Sequence, residues 1–429
     1  MPRVLFLTQY FPPEMGAAQT RLFELGQELL RLGWDVEVLT ALPNYPTGRI
    51  FEGYNVASPL RETLGGLSVV RVPLRPAQRG FVERLICYYS FVRSVIRWGT
   101  KLCHKPDVLF VESPPLFIGQ SAVSLSKAWN VPIIFNVSDL WPETAKSMGV
   151  VKNRFVFALA EALELSYYRR AALVTGTSDE IISSVRRRCP STAAEVITNG
   201  VDIGRFGPHY ADGVARALLH NEGRITFIYA GVMGLAQGLE LILDVAATVR
   251  DLSHVQFVLV GEGAERESLE RRIESENLSN VRLLRPQPKE QIPALLAASD
   301  VAFLTLKFNI PGAVPSKIYE AMATGLPILF AGEGEAARRI REAGAGLAIP
   351  YGDVRGLEKA VRYFAAAEPL RQQLGQAGRL AAEKSYSRKA IARRLHTLLL
   401  DIASRTKHHD GQHISIAPAQ ADRAPHVHL

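Results

Sequence analysis

One stretch constrains this chain more than any other: Ile225–Gly238, ITFIYAGVMGLAQG, with a helical pattern after it. The run ITFIYAG is continuously apolar, which predicts a strand buried on both faces. It feeds a glycine-bearing turn and then a helix expected to start at about Gly238. A strand end that delivers the chain into a helix N-terminus makes a phosphate cradle, because the first helical N–H groups have no partner within the helix. The stretch lies in mid-chain, and a second α/β unit of nearly the same size precedes it.

The same logic repeats throughout. Apolar runs at 4–8, 36–40, 67–73, 107–113, 132–139, 171–178 and 195–202 alternate with helical segments, and so do runs at 225–231, 255–263, 281–286, 301–306, 327–332 and 347–350. Alternation of this kind means parallel sheets covered on both faces. The expected fold class is α/β: two doubly wound, Rossmann-like domains facing a cleft, with a C-terminal helix returning to the first domain. We place the first domain at 1–203, a linker at 204–223, the second domain at 224–384, a terminal helix at 385–404 and a disordered tail at 405–429. A chain of 429 residues with 47% hydrophobic content exceeds a single core and suits two. No charge-free apolar run approaches the length of a membrane span, and the first 30 residues, with Arg3, Glu14, Arg21, Glu24 and Glu28, do not read as a secretory signal. Cys87, Cys103 and Cys189 lack metal spacing and read as free thiols of a reducing compartment.

In the second half, Gly231, Gly234 and Gly238 allow close backbone approach around the cradle, although such a turn is often only a tight turn. The spacing is neither the dinucleotide fingerprint nor a P-loop. VPSKIYEAMATGLP, 314–327, reads as a helix capped by Ser316 and ended by Gly325. Lys317 at its start opposes the helix dipole unless an anion is present, and a diphosphate would remove that conflict. Glu320, one turn on, is placed to accept hydrogen bonds from two ribose hydroxyls; an ordinary solvated pair is the alternative. Gly261 and Glu262 of the GEG turn, and Arg285–Pro286, follow strands at their carboxyl ends, where open α/β sheets bind ligands. Glu262 reads equally as a surface charge.

In the first half, QYFPPEMGAAQTR puts Gly16 where a loop meets its helix, with Glu14 exposed as a ligand or a plain loop charge. Asn44 and Tyr45 sit on a second long loop. In NVSDLWPE, 136–143, Asp139 follows an apolar strand and Trp141–Pro142 interrupts regular structure. Asp139 can orient a hydroxyl and Trp141 can stack on a sugar face; a helix cap and a core residue are the alternatives. The net charge of +8 points to an acidic partner. Its excess concentrates at Arg71, Arg75, Arg79, Arg84, Arg93, Arg97, Lys101 and Lys105. Residues 80–102 read as a helix at an anionic membrane face or as a cover helix with a basic edge. No nucleic-acid module is visible, so no nucleic-acid partner is expected.

Taken together, the glycine turn, the GEG turn and PSKIYEAMATGLP resemble the retaining family-4 glycosyltransferases of the GT-B fold. DLWPE and the opening QYFPPEMGAAQTR further resemble the bacterial subgroup that builds surface polysaccharides. The resemblance spans about residues 3–400. It implies a donor site formed by Gly231, Gly234, Gln237, Gly238, Gly261, Glu262, Arg285, Pro286, Ser316, Lys317 and Glu320. It implies acceptor contacts at Glu14, Gly16, Asn44, Tyr45 and Trp141, with Asp139, Lys317 and Glu320 as the catalytic set. It implies no cofactor and no metal, a nucleotide-sugar donor (UDP-sugar before GDP-sugar) and a lipid-diphosphate saccharide acceptor, to be reached from the anionic membrane surface that residues 80–102 suggest. Four positions depart from the family pattern: Val232 replaces an arginine, Gln237 a lysine, Gly312 the first glutamate of the EX7E motif and Ser138 a histidine. Lys317, helped by Lys307, is the expected substitute cation. A nucleotide-sugar epimerase or a non-catalytic lipid- or nucleic-acid-binding protein on the same scaffold are the rival readings.

Overall fold

The computed structural model describes residues 1–54, 57–78, 80–144, 153–220 and 223–409. Its first sheet has eight strands, β1 (Arg3–Leu7), β2 (Asp35–Ala41), β3 (Leu60–Leu64), β4 (Leu67–Val72), β5 (Val108–Ser113), β6 (Ile133–Val137), β7 (Leu173–Gly176) and β8 (Ala194–Val196), in the order β3-β4-β2-β1-β5-β6-β7-β8. All pairs are parallel except β3–β4. The antiparallel edge strand β3 was not expected. Its residues are mostly exposed and carry no apolar run, so periodicity offers no signal there.

The second sheet is wholly parallel: β9 (Ile225–Ala230), β10 (Val255–Val260), β11 (Val281–Leu284), β12 (Val301–Thr305), β13 (Ile328–Ala331) and β14 (Gly346–Ile349), ordered β11-β10-β9-β12-β13-β14. Its four central strands are buried on both faces, with Phe227 opposite Phe257 in register, as continuous apolar runs require, while the edge strands β11 and β14 are mostly half-buried.

Helices cover both sheets. Those that position the site are α1 (Ala17–Arg31), α2 (Phe81–Leu102), α3 (Ile118–Trp129), α4 (Arg154–Tyr168) and α5 (Asp179–Arg188) in the first half. In the second half come α6 (Gly213–Leu219), α7 (Glu240–Thr248), α8 (Arg266–Ser275), α9 (Ile292–Ala297), α10 (Ser316–Thr324) and α11 (Gly334–Glu342). The chain closes with α12 (Val354–Ala366), α13 (Glu368–Ala381) and α14 (Arg388–His409). Helix α5 shows why such segments are helical: the Ser178 hydroxyl accepts the Ile181 N–H, Asp179 and Glu180 fill the first turn, and Arg186–Arg188 fill the last.

Alternation along β1 sends Leu5 and Leu7 to one face and Val4 and Phe6 to the other. The second face packs against Leu22, Leu25 and Leu29 of α1 and against Ile391, Leu395 and Leu399 of α14, so the C-terminal helix does return to the first unit. The buried Trp34 donates its indole N–H to His396 at 2.8 Å, tying the two ends of the chain. Where the chain passes back, Val201 and Ser387 form a bridge, with N–H bonds from Val201 to Tyr386 and from Arg388 to Val201, both 2.8 Å. Helix α14 runs on to His409, five residues beyond the expected helix end at 404; the remainder of the expected tail lies outside the described residues.

Candidate active site

The turn after β9 is built by close backbone approach. Gly231 donates its N–H to Val260 at 2.8 Å, and a Cβ on Gly261 would lie 1.9 Å from the Gly231 carbonyl oxygen, so only glycine fits there. Met233 N–H bonds Glu262 carbonyl at 2.8 Å, which locks the glycine turn to the GEG turn. Helix α7 begins at Glu240, two residues later than expected, because Gly238 and Leu239 still belong to the turn. Gln237 does not reach outward as a donor-binding side chain: its Oε1 accepts the Gly234 N–H at 3.2 Å and so braces the turn from within. Lys307 is not the helper cation either. It pairs with Glu240 at 2.7 Å, and Tyr351 donates to the same carboxylate oxygen at 3.1 Å.

Lys317 behaves otherwise. It sits in the first turn of α10, and its aliphatic end lies against Gly231, since a Cβ on Gly231 would come within 2.1 Å of Lys317 Cε and 2.6 Å of Nζ. The ammonium stands 5.5 Å from the centre of the Tyr229 ring. Among the described residues it has no hydrogen bond and no ion pair. Burial pulls its pKa below the usual lysine value, opposed by Glu320 at longer range. A partly buried ammonium with no anionic partner among the described residues, held over a glycine turn, is able to receive an anion. Ser316 does not cap the helix as expected. Pro315 flanks the start and Ser316 is itself helical; its hydroxyl donates to Glu320 Oε1 at 3.3 Å, orienting that carboxylate.

Glu262 is exposed, 3.9 Å from Arg266, and contributes through its backbone carbonyl. Arg285 and Pro286 are exposed beyond the edge strand β11. Arg266 binds the carbonyls of Gly261 and Leu284, at 2.7 and 2.8 Å, and holds these strand ends together.

The opposite wall comes from the first unit. Glu14 is buried, not exposed. Its carboxylate accepts the backbone N–H groups of Phe11, Asn44 and Tyr45 at 3.1, 2.8 and 2.8 Å, clasping two loops. Burial raises its pKa against those bonds. Asn44 is also spent inside, donating to the Leu42 carbonyl at 2.9 Å. Tyr45 is half exposed, stacks near Tyr10 with ring centres 5.4 Å apart, and lines a cavity with Arg84, Cys87 and Tyr88 rather than the central one. Of the basic run, Arg71 is fully buried and paired with Glu62 at 2.5 Å, so it is not available to an outside anion; Arg79 lies outside the described residues.

Asp139 follows β6 and is half-buried, without a hydrogen bond among the described residues. Burial raises its pKa and Arg21 opposes the rise. Beneath it lies a buried polar network centred on Glu112. Arg21 binds Glu112 at 2.5 Å and Ser138 at 3.1 Å, Ser138 donates to Glu112 at 2.5 Å, and Asn136 donates to Glu112 at 2.8 Å. Ser138, at the family's histidine position, thus turns inward. Trp141 is half-buried beside it, neither a helix residue nor full core.

Between the walls lies a cavity of about 240 Å³, lined by Gly16 and Thr20 of the first unit, Asn199 and Gly200 at the crossing, and Ser316 and Glu320 of the second. Residues 16–200 match the family described as "Glycosyl transferase 4-like domain", and residues 214–381 match "Glycosyl transferases group 1". The chain belongs to the GT-B glycosyltransferases. It is similar to the putative colanic acid biosynthesis glycosyl transferase WcaI of Escherichia coli K12, at 28% identity over 328 residues, covering 73% of this chain and 79% of that protein. It also resembles the probable glycosyltransferase WbjE of Pseudomonas aeruginosa, at 25% over 294 residues, 67% of this chain and 73% of that one. In fold it matches sucrose-phosphate synthase from Thermosynechococcus elongatus with a TM-score of 0.74 at 19% identity, covering 94% of this chain and 100% of that one. Anabaena HepE in complex with UDP and glucose matches with a TM-score of 0.69 at 18% identity, covering 94% and 100%.

The glycosyltransferase also lines its cleft with residues that periodicity did not single out. Lys289, after β11, reaches Thr20 of the opposite wall at 3.4 Å, and Arg205 binds the Lys289 carbonyl at 2.7 Å. Arg388 pairs with Glu24 at 2.7 Å across 364 positions of sequence. Such residues sit on irregular loops or meet only after folding, so no local pattern marks them.

Proposed function

We propose that this glycosyltransferase moves a sugar, with retention of configuration, from a nucleoside-diphosphate sugar to a lipid-diphosphate-linked saccharide in surface-polysaccharide assembly. One observation carries the reading: the unpaired Lys317 ammonium held against Gly231 at the glycine turn. The diphosphate lies in that cradle, Glu320 binds the ribose, and Gly16 faces the phosphates from the other side. As the bond from the sugar's anomeric carbon to the diphosphate oxygen breaks, Lys317 and backbone N–H groups stabilise the growing negative charge. The acceptor hydroxyl attacks from the same face, and its proton passes to the departing diphosphate. Asp139 orients that hydroxyl and Trp141 packs on the acceptor sugar. The cleft's two walls hold both substrates and exclude water.

A UDP-linked donor is favoured over a GDP-linked one, supported by HepE, whose structures carry UDP and UDP-glucose. The acceptor reading draws on the colanic acid assignment of WcaI. The enzyme works at the inner face of the plasma membrane. Helix α2 supports this, with exposed Val82, Ile86, Tyr89 and Ile96 interleaved with Arg84, Arg93, Arg97 and Lys101. Among the described residues no helix is long and apolar enough to cross a membrane. The test is calorimetry with UDP, GDP, ADP and their sugars, followed by proton NMR of the anomeric signal in the product. UDP-selective binding with retained configuration supports the reading. No nucleotide binding, or an inverted product, overturns it.

A further inference from the structure

The donor loop after β12 poses a problem. At position 312, where the resembling family carries the first glutamate of its motif, this chain has glycine. The structure supplies a physical reason. Gly312 has φ +74°, and a Cβ there would lie 2.5 Å from Ile181 Cγ1 and 2.7 Å from Ser178 Oγ, both on the opposite unit. A side chain at 312 and this closed arrangement exclude each other.

What meets Gly312 instead is a carboxylate. Glu180, in the first turn of α5, accepts the Gly312 N–H on Oε2 at 2.8 Å. Its Oε1 has no hydrogen-bond partner among the described residues. The approach is anchored on the flank. Asp179 pairs with Arg338 at 2.7 Å and Arg339 at 3.3 Å, and donates its N–H to Glu335 at 3.3 Å. Arg339 is buried and bonds Glu335 at 2.8 Å, which stiffens the receiving surface. The Ser178 cap fixes where Glu180 leaves the helix.

We propose that Glu180 is a donor-binding residue: reaching across the cleft, it presents to the donor sugar the carboxylate that Gly312 lacks, while its other oxygen holds the donor loop in place. This rests on the glycosyl-transfer reading and adds that the sugar subsite is complete only when the two units are closed. A nucleoside diphosphate without sugar has no need of Glu180. The proposal therefore separates sugar recognition from nucleotide recognition.

The experiment has two arms, both on the full chain. In the first, amide hydrogen exchange of the segment 308–314 is followed without ligand. Glu180→Ala, which removes the acceptor, should speed exchange there, while Glu180→Gln, which keeps an acceptor oxygen, should not. Unchanged exchange in Glu180→Ala overturns the contact. In the second, acceptor-free hydrolysis of UDP-glucose, UDP-N-acetylglucosamine and GDP-mannose is measured alongside UDP and GDP affinity. Glu180→Gln should lower kcat/KM for whichever donor the wild type hydrolyses by about tenfold and leave nucleoside-diphosphate affinity within about twofold, the signature of one lost charge-assisted contact to the sugar. Equal loss of kcat/KM and of nucleoside-diphosphate affinity, or wild-type hydrolysis by Glu180→Gln, overturns the sugar role. Arg338→Ala cuts the neighbouring Asp179 contact; if it reproduces the Glu180→Gln loss, interface loosening is the cause and the proposal fails. A wild type that hydrolyses none of these donors counts against the transfer reading, and the exchange arm then decides the Glu180 contact by itself.

Discussion

The two walls of the cleft are built on opposite electrostatic principles. On the first wall, buried charges are consumed internally: Glu14 by three backbone N–H groups, Arg21 by Glu112 and Ser138, Arg71 by Glu62. On the second wall Lys317 has no hydrogen bond or ion pair among the described residues, beside a backbone turn that admits nothing bulkier than glycine. The first wall is a rigid frame that exposes few groups, Asp139 and Trp141 among them. The second presents a half-buried ammonium able to receive an anion. Charge therefore plays two parts here. Where its partners are built in it supports the fold; where they are not it is open to a ligand.

Mutations should divide along this line. The largest effect is expected at Arg21→Met, which strands the buried Glu112 carboxylate and should cost about 3–5 kcal/mol of stability. It reads as a lower unfolding midpoint in urea, with nucleotide affinity retained in the folded fraction. A loss of nucleotide affinity without loss of stability would blur the contrast.

Lys317→Ala should do the reverse. Losing a charged contact of about 1.5–3 kcal/mol weakens diphosphate binding about 10- to 100-fold. The unfolding midpoint of the free protein should not fall, because the variant removes a desolvated charge. Calorimetry with UDP and uridine separates the cases, and equal weakening of both would remove Lys317 from the diphosphate. The sign of its pH dependence follows from burial. With the free lysine's pKa held below its ordinary value and raised again by a bound diphosphate, affinity should decline as pH rises through the free-enzyme value.

Asp139 belongs to the first wall yet has no hydrogen bond or ion pair among the described residues, so it sharpens the comparison. Asp139→Asn should lower kcat by about 100-fold, the cost of misplacing an attacking group, without changing nucleotide affinity. Burial raises the Asp139 pKa, so wild-type activity should fall with acidification at a higher pH than for an ordinary aspartate. A pH–rate profile whose acid limb survives in the variant would assign that limb to another group.

Smaller effects follow at the margins. Glu320→Gln should cost about 1 kcal/mol in UDP affinity and leave pyrophosphate binding unchanged. Removing single charges from α2, as in Arg97→Ala, should weaken flotation with anionic liposomes by about 1 kcal/mol each at low salt. Absence of liposome binding in the wild type would reduce α2 to a cover helix.

Several parts of this arrangement were legible without coordinates. Continuous apolar runs must be buried on both faces, so the two parallel sheets and the helices between them follow from periodicity alone. The place of Lys317 in a first helical turn was readable as well, since the helix pattern around it is visible in adjacent residues. Glu14 was misread as exposed because its partners Asn44 and Tyr45 lie on another loop, and Ser316 as a cap because the helix already includes it and its hydroxyl turns to Glu320. Strand β3 left no trace, having too little buried surface to impose a pattern.

By itself, then, the order of residues determined the class of fold, the two-unit plan and the place of the glycine cradle. These depend on interactions within a few positions or on burial that every homogeneous apolar run demands. Only the tertiary structure decided which charges are spent and which are free, and that Gly312 answers to Glu180 rather than to its own side chain. That pairing joins residues 132 positions apart across the cleft, and hydrogen-bond satisfaction over such a span is a property of folded distance, which no local spacing encodes.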